Sequence, residues 1–185
     1  MKYFAITPEH VSGADITARL PMLRQKDVTY LYLRALSAAE YVPDLIAKIN
    51  AAGITPLVPP EHKHLCRQAS CGMHVPGKRP ELLKKAASAA PALITCSCHD
   101  HAAARRMLDG PVDFCLLSPV FRPLSKPEDK RALLPRNRLK ELAAAYGERL
   151  VLLGGLTAER IRQLQQDLEH DFSAAGISMF WEASA

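Results

Sequence analysis

Short apolar runs of strand character alternate with alanine-rich stretches of helical period along the whole chain, and this alternation restricts the fold more than any other feature. Eight runs carry the strand pattern, beginning near Tyr3, Thr29, Ile54, Cys71, Leu93, Asp113, Leu150 and Gly176. Strands separated by helical segments pair in parallel, because each parallel crossover needs about ten or more residues. Eight such units predict an α/β protein, a compact (β/α)8 TIM barrel built as one domain over residues 1–185. Length adds a condition: 185 residues over eight units leave about 23 each, whereas ordinary barrels take roughly 250 residues in all. The helices must therefore be short and the last one truncated, since only Trp181 to Ala185 follow the eighth run. An open doubly wound sheet is the other architecture with this alternation.

Local punctuation supports the helical segments. Ser12 with Asp15, and Ser37 with Glu40, have the offset of capping boxes; Pro80 suits a first helical turn, and Gly147 suits a C-terminal cap after a helix over 137–146. Pro21 and Pro43 interrupt the first two helices, which are kinked there or begin later than their caps.

Composition excludes several classes. With 48% apolar and 23% charged residues the chain builds a core and is not disordered. Apolar runs such as Leu150 to Leu153 are far shorter than the ~20 residues that span a bilayer, and Met1 leads straight into a strand pattern without a signal-peptide layout, so a cytoplasmic protein with no membrane partner is expected. Five cysteines without a paired framework suit free thiols. The net charge of +5 is spread along the chain and aromatics make up only 6%, which argues against nucleic acid. A small anionic ligand and ordinary surface charge both account for the excess, and a homodimer stays open.

In either architecture ligands bind at the carboxyl ends of the strands. Read in order, these ends carry Thr7, Arg34, Pro59 with Glu61, His74 to Lys78, Ser97 with His99, Ser118 to Lys126, Gly154-Gly155 and Phe180-Trp181. Cations and small polar groups dominate and carboxylates are scarce, a set that favours a phosphate over a divalent metal. Gly154-Gly155, just ahead of the next helix, leaves room for a phosphate to approach the backbone; an ordinary tight turn reads the same way. The loop from Ser118 to Pro135, with Arg122, Lys126, Lys130 and Arg131, has the length and charge of a basic lid or of a plain surface loop. Cys96-Ser97-Cys98-His99-Asp100-His101 suggests metal ligands, but strand alternation sends Cys96 and Cys98 to one face and Thr95, Ser97 and His99 to the other. Buried cysteines packed against helices are expected, no metal ligand is assigned, and His74 is read as a core histidine.

Several strand ends resemble one family. Asp113-Phe114-Cys115-Leu116-Leu117-Ser118-Pro119-Val120-Phe121, with Ser125-Lys126, is similar to the sixth-strand signature of thiamine phosphate synthase and its TenI-like relatives. Leu152-Leu153-Gly154-Gly155-Leu156 resembles their seventh-strand phosphate turn, Ile94 to His99 the fifth-strand motif, Gly72 to Val75 the fourth and Ala175 to Ser178 the eighth. The resemblance implies a barrel of thiamine biosynthesis or salvage that holds a phosphorylated thiazole and an aminopyrimidine pyrophosphate. It implies either a transferase joining the two with loss of pyrophosphate or a thiazole-modifying isomerase. Arg34 matches the pyrophosphate-contacting arginine, Ser97 the fifth-strand serine, Ser125 and Lys126 the thiazole-phosphate loop, and Gly154 with Gly155 the phosphate turn.

Departures from the family pattern fall mainly at its metal. The resemblance implies Mg2+ held by aspartates after the third and fourth strands, where this chain has Val58-Pro59-Pro60-Glu61 and Arg79, leaving Glu61 as the one carboxylate. Lys78 and Arg79 put fixed positive charge there instead, so an anionic ligand is expected to bind without the metal. Tyr32 and Leu36 replace a glutamine and a lysine around Arg34, and Phe180 and Trp181 stand at the eighth-strand phosphate contacts. Pro119 occupies the position of the tautomerase histidine and moves no proton, which leaves His99 as the candidate acid–base residue. An active synthase with a rebuilt metal site and a non-catalytic binding protein closed by Tyr32, Phe180 or Trp181 are the alternatives.

Overall fold

Eight parallel strands close on themselves in chain order: β1 (Tyr3–Ile6), β2 (Val28–Tyr32), β3 (Thr55–Val58), β4 (Gly72–Val75), β5 (Ile94–Cys98), β6 (Phe114–Leu117), β7 (Leu150–Leu153) and β8 (Ser173–Gly176), which pairs back onto β1. The computed structural model describes residues 1–34, 36–89, 91–122 and 130–181. The outer helices are α1 (Gly13–Gln25), α2 (Pro43–Ala51), α3 (Leu65–Gln68), α4 (Leu82–Ala87), α5 (His101–Leu108), α6 (Arg136–Tyr146), α7 (Ala158–Leu168) and α8 (Ser178–Trp181). The closed sheet excludes the open doubly wound alternative. A short chain suffices because α3 and α8 are reduced to 4 residues each and α4 to 6. No described helix is long and apolar enough to cross a membrane.

Strand alternation divides the buried side chains into two cores. Inside the barrel, Phe4 stacks on Tyr30 with centroids 4.4 Å apart, and Phe114 meets both at 5.2 Å. Ile6, Tyr32, Leu57, Leu116, Val151 and Ala175 continue this packing. The opposite strand faces carry Ala5, Leu31, Val58, Met73, Cys96, Cys115 and Leu152 against the helices. Each large side chain so buried contributes about 1.5–3 kcal/mol, which makes closure of the barrel and docking of the helices one cooperative event.

Several local expectations are corrected. Ser37 does hydrogen-bond Glu40, but the pair caps a 3-10 turn over Ala38–Glu40, and α2 starts later with Pro43 at its first position, where a missing N–H costs nothing. The other Glu40 oxygen accepts from Gly13 N at 2.7 Å, tying this turn to the start of α1. α1 runs through Pro21, which lies on its exposed side. Pro80 precedes α4, whose N-cap is Glu81. Gly147 ends α6 with φ 53, as its position predicts. The largest error is the eighth strand: it is Ser173–Gly176, and residues from Ser178 form the turn α8. Ser-Ala-Ala-Gly has no β-branched or aromatic residue, so a propensity reading slides onto the apolar segment that follows. The fully buried strand uses small side chains because neighbours crowd both its faces.

Candidate functional site

At the β4–β5 side of the barrel interior, the apolar packing gives way to a hydrogen-bonded chain. His74 is fully enclosed, with Nδ1 2.8 Å from Thr95 Oγ1 and Nε2 2.8 Å from Ser97 Oγ, while the Tyr32 ring lies 4.1 Å from its own. Burial pushes the imidazole pKa down to about 3, so the ring is neutral. The tautomer follows from connectivity. Thr95 Oγ1 donates to Met73 O at 3.3 Å, so Thr95 accepts from Nδ1–H and Ser97 donates to Nε2. Ser97, half-buried at the strand end, thus has its proton committed and offers lone pairs to anything above it. It can donate to an anion only if the imidazole proton moves to Nε2 and Thr95 turns its hydroxyl to Nδ1.

Around this plug stand the cations. Arg34, just past β2, is anchored by its backbone N–H on the buried Thr7 Oγ1 at 2.8 Å, and its guanidinium lies 3.6 Å from Glu9. Beyond β4, Lys78 is exposed and Arg79 donates to Glu61 at 2.7 Å, with Glu81 3.6 Å away. The metal-position carboxylate and the arginine opposite it are thus partners. Past β5, His99 Nδ1 is 3.0 Å from Arg131 Nη1 and 3.1 Å from Ser118 O. The arginine can only donate and the carbonyl can only accept, so these contacts select opposite states of Nδ1: the first leaves the proton on Nε2.

The β6–β7 side is built by close backbone packing. Gly154 and Gly155 have φ 106 and φ 60, and the space a Cβ would take at Gly154 is filled by Pro119 Cα at 3.0 Å; at Gly155 it is filled by Arg122 O. The missing side chains therefore serve the approach of the loop after β6, which hydrogen-bonds back through Val120 N to Leu153 O and Phe121 N to Gly154 O. Two guanidinium groups lie over the Phe121 ring, Arg136 at 4.7 Å and Arg160 at 4.8 Å from its centroid. Arg136 Nη1 is buried with no hydrogen-bond partner among the described residues. Ser125 and Lys126 lie outside the described residues.

Comparison with known proteins settles the ancestry. A family model described as thiamine monophosphate synthase matches residues 3–180. The chain belongs to the thiamine monophosphate synthase family. Thiamine phosphate pyrophosphorylase from Pyrococcus furiosus superposes with a TM-score of 0.73 at 15% identity, covering 98% of this chain and 88% of that one. Two further solved barrels are similar in fold. They are 3-hexulose-6-phosphate synthase from Salmonella typhimurium (TM-score 0.66, 13% identity, 100% of this chain and 92% of that one) and an HpcH/HpaI aldolase from Desulfitobacterium hafniense (0.59, 11%, 96% and 87%). A search of curated proteins finds no match. At these identities the superpositions establish the fold alone.

Within this family fold, the one carboxylate among the described residues at the expected metal position, Glu61, is already paired. Glu61 spends an oxygen on Arg79, and a divalent cation beside it would have to displace a guanidinium and stand next to its charge. Nor do Phe180 and Trp181 reach the place that the strand-end reading assigned them. They sit in α8, where Phe180 is buried edge-on to Tyr3 in the outer core and both carbonyls accept from Arg19. Neither closes the barrel mouth; Tyr32 and His74 fill the interior instead. Sequence reading missed the His74–Thr95–Ser97 chain, although the alternation that put Thr95 and Ser97 on one face was its signal. The Arg131 contact to His99 crosses from a loop far along the chain and had none.

Proposed function

We propose that this family member binds a phosphorylated intermediate of thiamine biosynthesis or salvage, a thiazole phosphate or an aminopyrimidine pyrophosphate, at the C-terminal mouth of its barrel without magnesium. The observation that carries the reading is the Arg79–Glu61 ion pair at 2.7 Å, which stands where the family pattern expects metal carboxylates. Arg34, Lys78 and Arg79 supply the positive charge, and an incoming phosphate takes over the guanidinium groups from Glu9 and Glu61, both of which are exposed. Gly154 and Gly155 lead into α7, whose first N–H groups suit an anion. The family positions of Ser125 and Lys126 imply contacts to the thiazole phosphate. His99 is the proton-transfer group in this reading, with Nδ1 held by Arg131 and the proton carried on Nε2.

Calorimetric titration with thiazole phosphate and with the pyrimidine pyrophosphate, each with and without Mg2+, tests it. Binding without the metal, weakened about 10-fold or more in Arg34→Ala and in Lys126→Ala, is expected. Affinity that rises steeply with Mg2+ would instead mark a synthase with a rebuilt metal site, and no binding of either compound would leave a non-catalytic interaction protein. His99→Gln keeps the ligand and abolishes turnover if the histidine moves the proton; unchanged turnover removes it from that role.

A further inference from the structure

The outer face of the barrel carries a second concentration of chemistry. Cys96 and Cys98 point outward from β5, two residues apart on one face, and Cys115 of β6 is the register partner of Cys96. Their three Sγ atoms lie within 4.8 Å of one another, and all three residues are buried, at 3%, 4% and 0% exposure. None is in a disulfide. Beside them a cavity of about 180 Å³ opens between β5 and α5, lined by Cys96, Cys98, His99, Arg106 and Met107. Cys96 and Cys98 thus border the cavity, with Cys115 buried behind them.

We propose that Cys96, Cys98 and Cys115 form a binding site for a soft, thiophilic cation, monovalent copper, outside the barrel mouth. Thiolate sulfur is the donor that such ions prefer over the oxygen and nitrogen groups elsewhere on the chain. Geometry selects copper over zinc. Structural zinc sites are closed by four protein ligands, whereas this cluster supplies three, with no fourth His, Cys or carboxylate converging on it among the described residues. Three sulfurs around one ion need separations of about 4 Å at metal–sulfur bonds near 2.3 Å, which the cluster meets with small rotamer changes. Each sulfur that ligates releases its proton to solvent, so no oxidant or reductant enters the step. Arg106, Asp100 and Met107 line the same cavity.

The test is anaerobic titration of the full chain with Cu(I) buffered by a chromophoric chelator, run beside Zn(II) with its own indicator. A single equivalent of Cu(I) taken from the chelator, with thiolate-to-copper absorption in the near ultraviolet, is expected. Cys98→Ala should weaken uptake by about 100-fold. The separate thiol pair Cys66–Cys71, 2.9 Å apart, supplies the control: Cys66→Ser with Cys71→Ser should leave uptake unchanged. Copper K-edge absorption of the loaded wild-type protein needs no variant and should show three sulfur neighbours at about 2.3 Å. Equal uptake by Cys98→Ala, loss in the Cys66/Cys71 double variant, nitrogen or oxygen neighbours in place of the three sulfurs, or tighter binding of zinc than copper would each overturn the assignment.

Discussion

The two faces of β5 carry opposite solutions to the same problem of burying polarisable or polar atoms. Inward, Thr95 and Ser97 hold the ring of His74 in a chain where every hydrogen bond has a partner, ending on the carbonyl of Met73. Outward, Cys96 and Cys98 meet Cys115 in a largely apolar layer, their Sγ atoms within 4.8 Å of one another. A satisfied hydroxyl–imidazole chain fixes one arrangement, because every displaced member strands another in low dielectric. Clustered thiols tolerate rearrangement and keep their lone pairs for a softer partner. A shift of one residue in register would exchange the two sets and lose both.

The strongest way to break the inner arrangement is His74→Ala, which strands two hydroxyl groups and leaves a void under Tyr32; a loss of about 4 kcal/mol in urea unfolding is expected. A loss no larger than that of Cys96→Ala would mean that the two faces contribute alike. Acid should act on the same residue more gradually. His74 stays neutral in the folded protein down to about pH 3 but takes a proton near 6.5 when unfolded. Its contribution is therefore complete above pH 6.5 and falls by about 1.4 kcal/mol per unit as pH drops through that window. Urea midpoints followed from neutral pH downward should show this slope in the wild type and not in His74→Gln.

Exchanging elements sharpens the contrast further. Cys115→Ser places a hydroxyl in the fully buried outer layer and should cost about 2 kcal/mol, while Ser97→Cys weakens one donor to His74 and should cost about 1 kcal/mol. The reverse order in thermal or chemical unfolding would show that the outer face accommodates oxygen as readily as the inner. The smallest change belongs to Cys66→Ser, a half-exposed thiol away from both sets, expected within about 0.5 kcal/mol of wild type.

Much of the architecture was legible because it repeats. The runs at Tyr3 and Leu150 coincide with strand starts, and those at Thr29, Ile54, Cys71, Leu93 and Asp113 lie one residue from them. β8 escaped because packing chose Ser, Ala and Gly where propensity expects bulk. At the candidate site, Arg34, Lys78, Arg79, Ser97, His99, Gly154 and Gly155 all occupy strand ends or the turns after them. Their partners were not legible: Glu61 for Arg79, Arg131 for His99 and His74 for Ser97 join residues 18, 32 and 23 positions apart.

The sequence by itself determined the strand and helix periods, the side each β5 residue takes and the family pattern, since these depend on spacing along one segment. Only the tertiary structure decided that a histidine between two hydroxyls would plug the interior, that an arginine would occupy the would-be metal carboxylate, and that Cys115 would complete a group of three thiols. Those outcomes depend on the register between neighbouring strands and on where loops return, and neither is encoded in any single stretch of the chain.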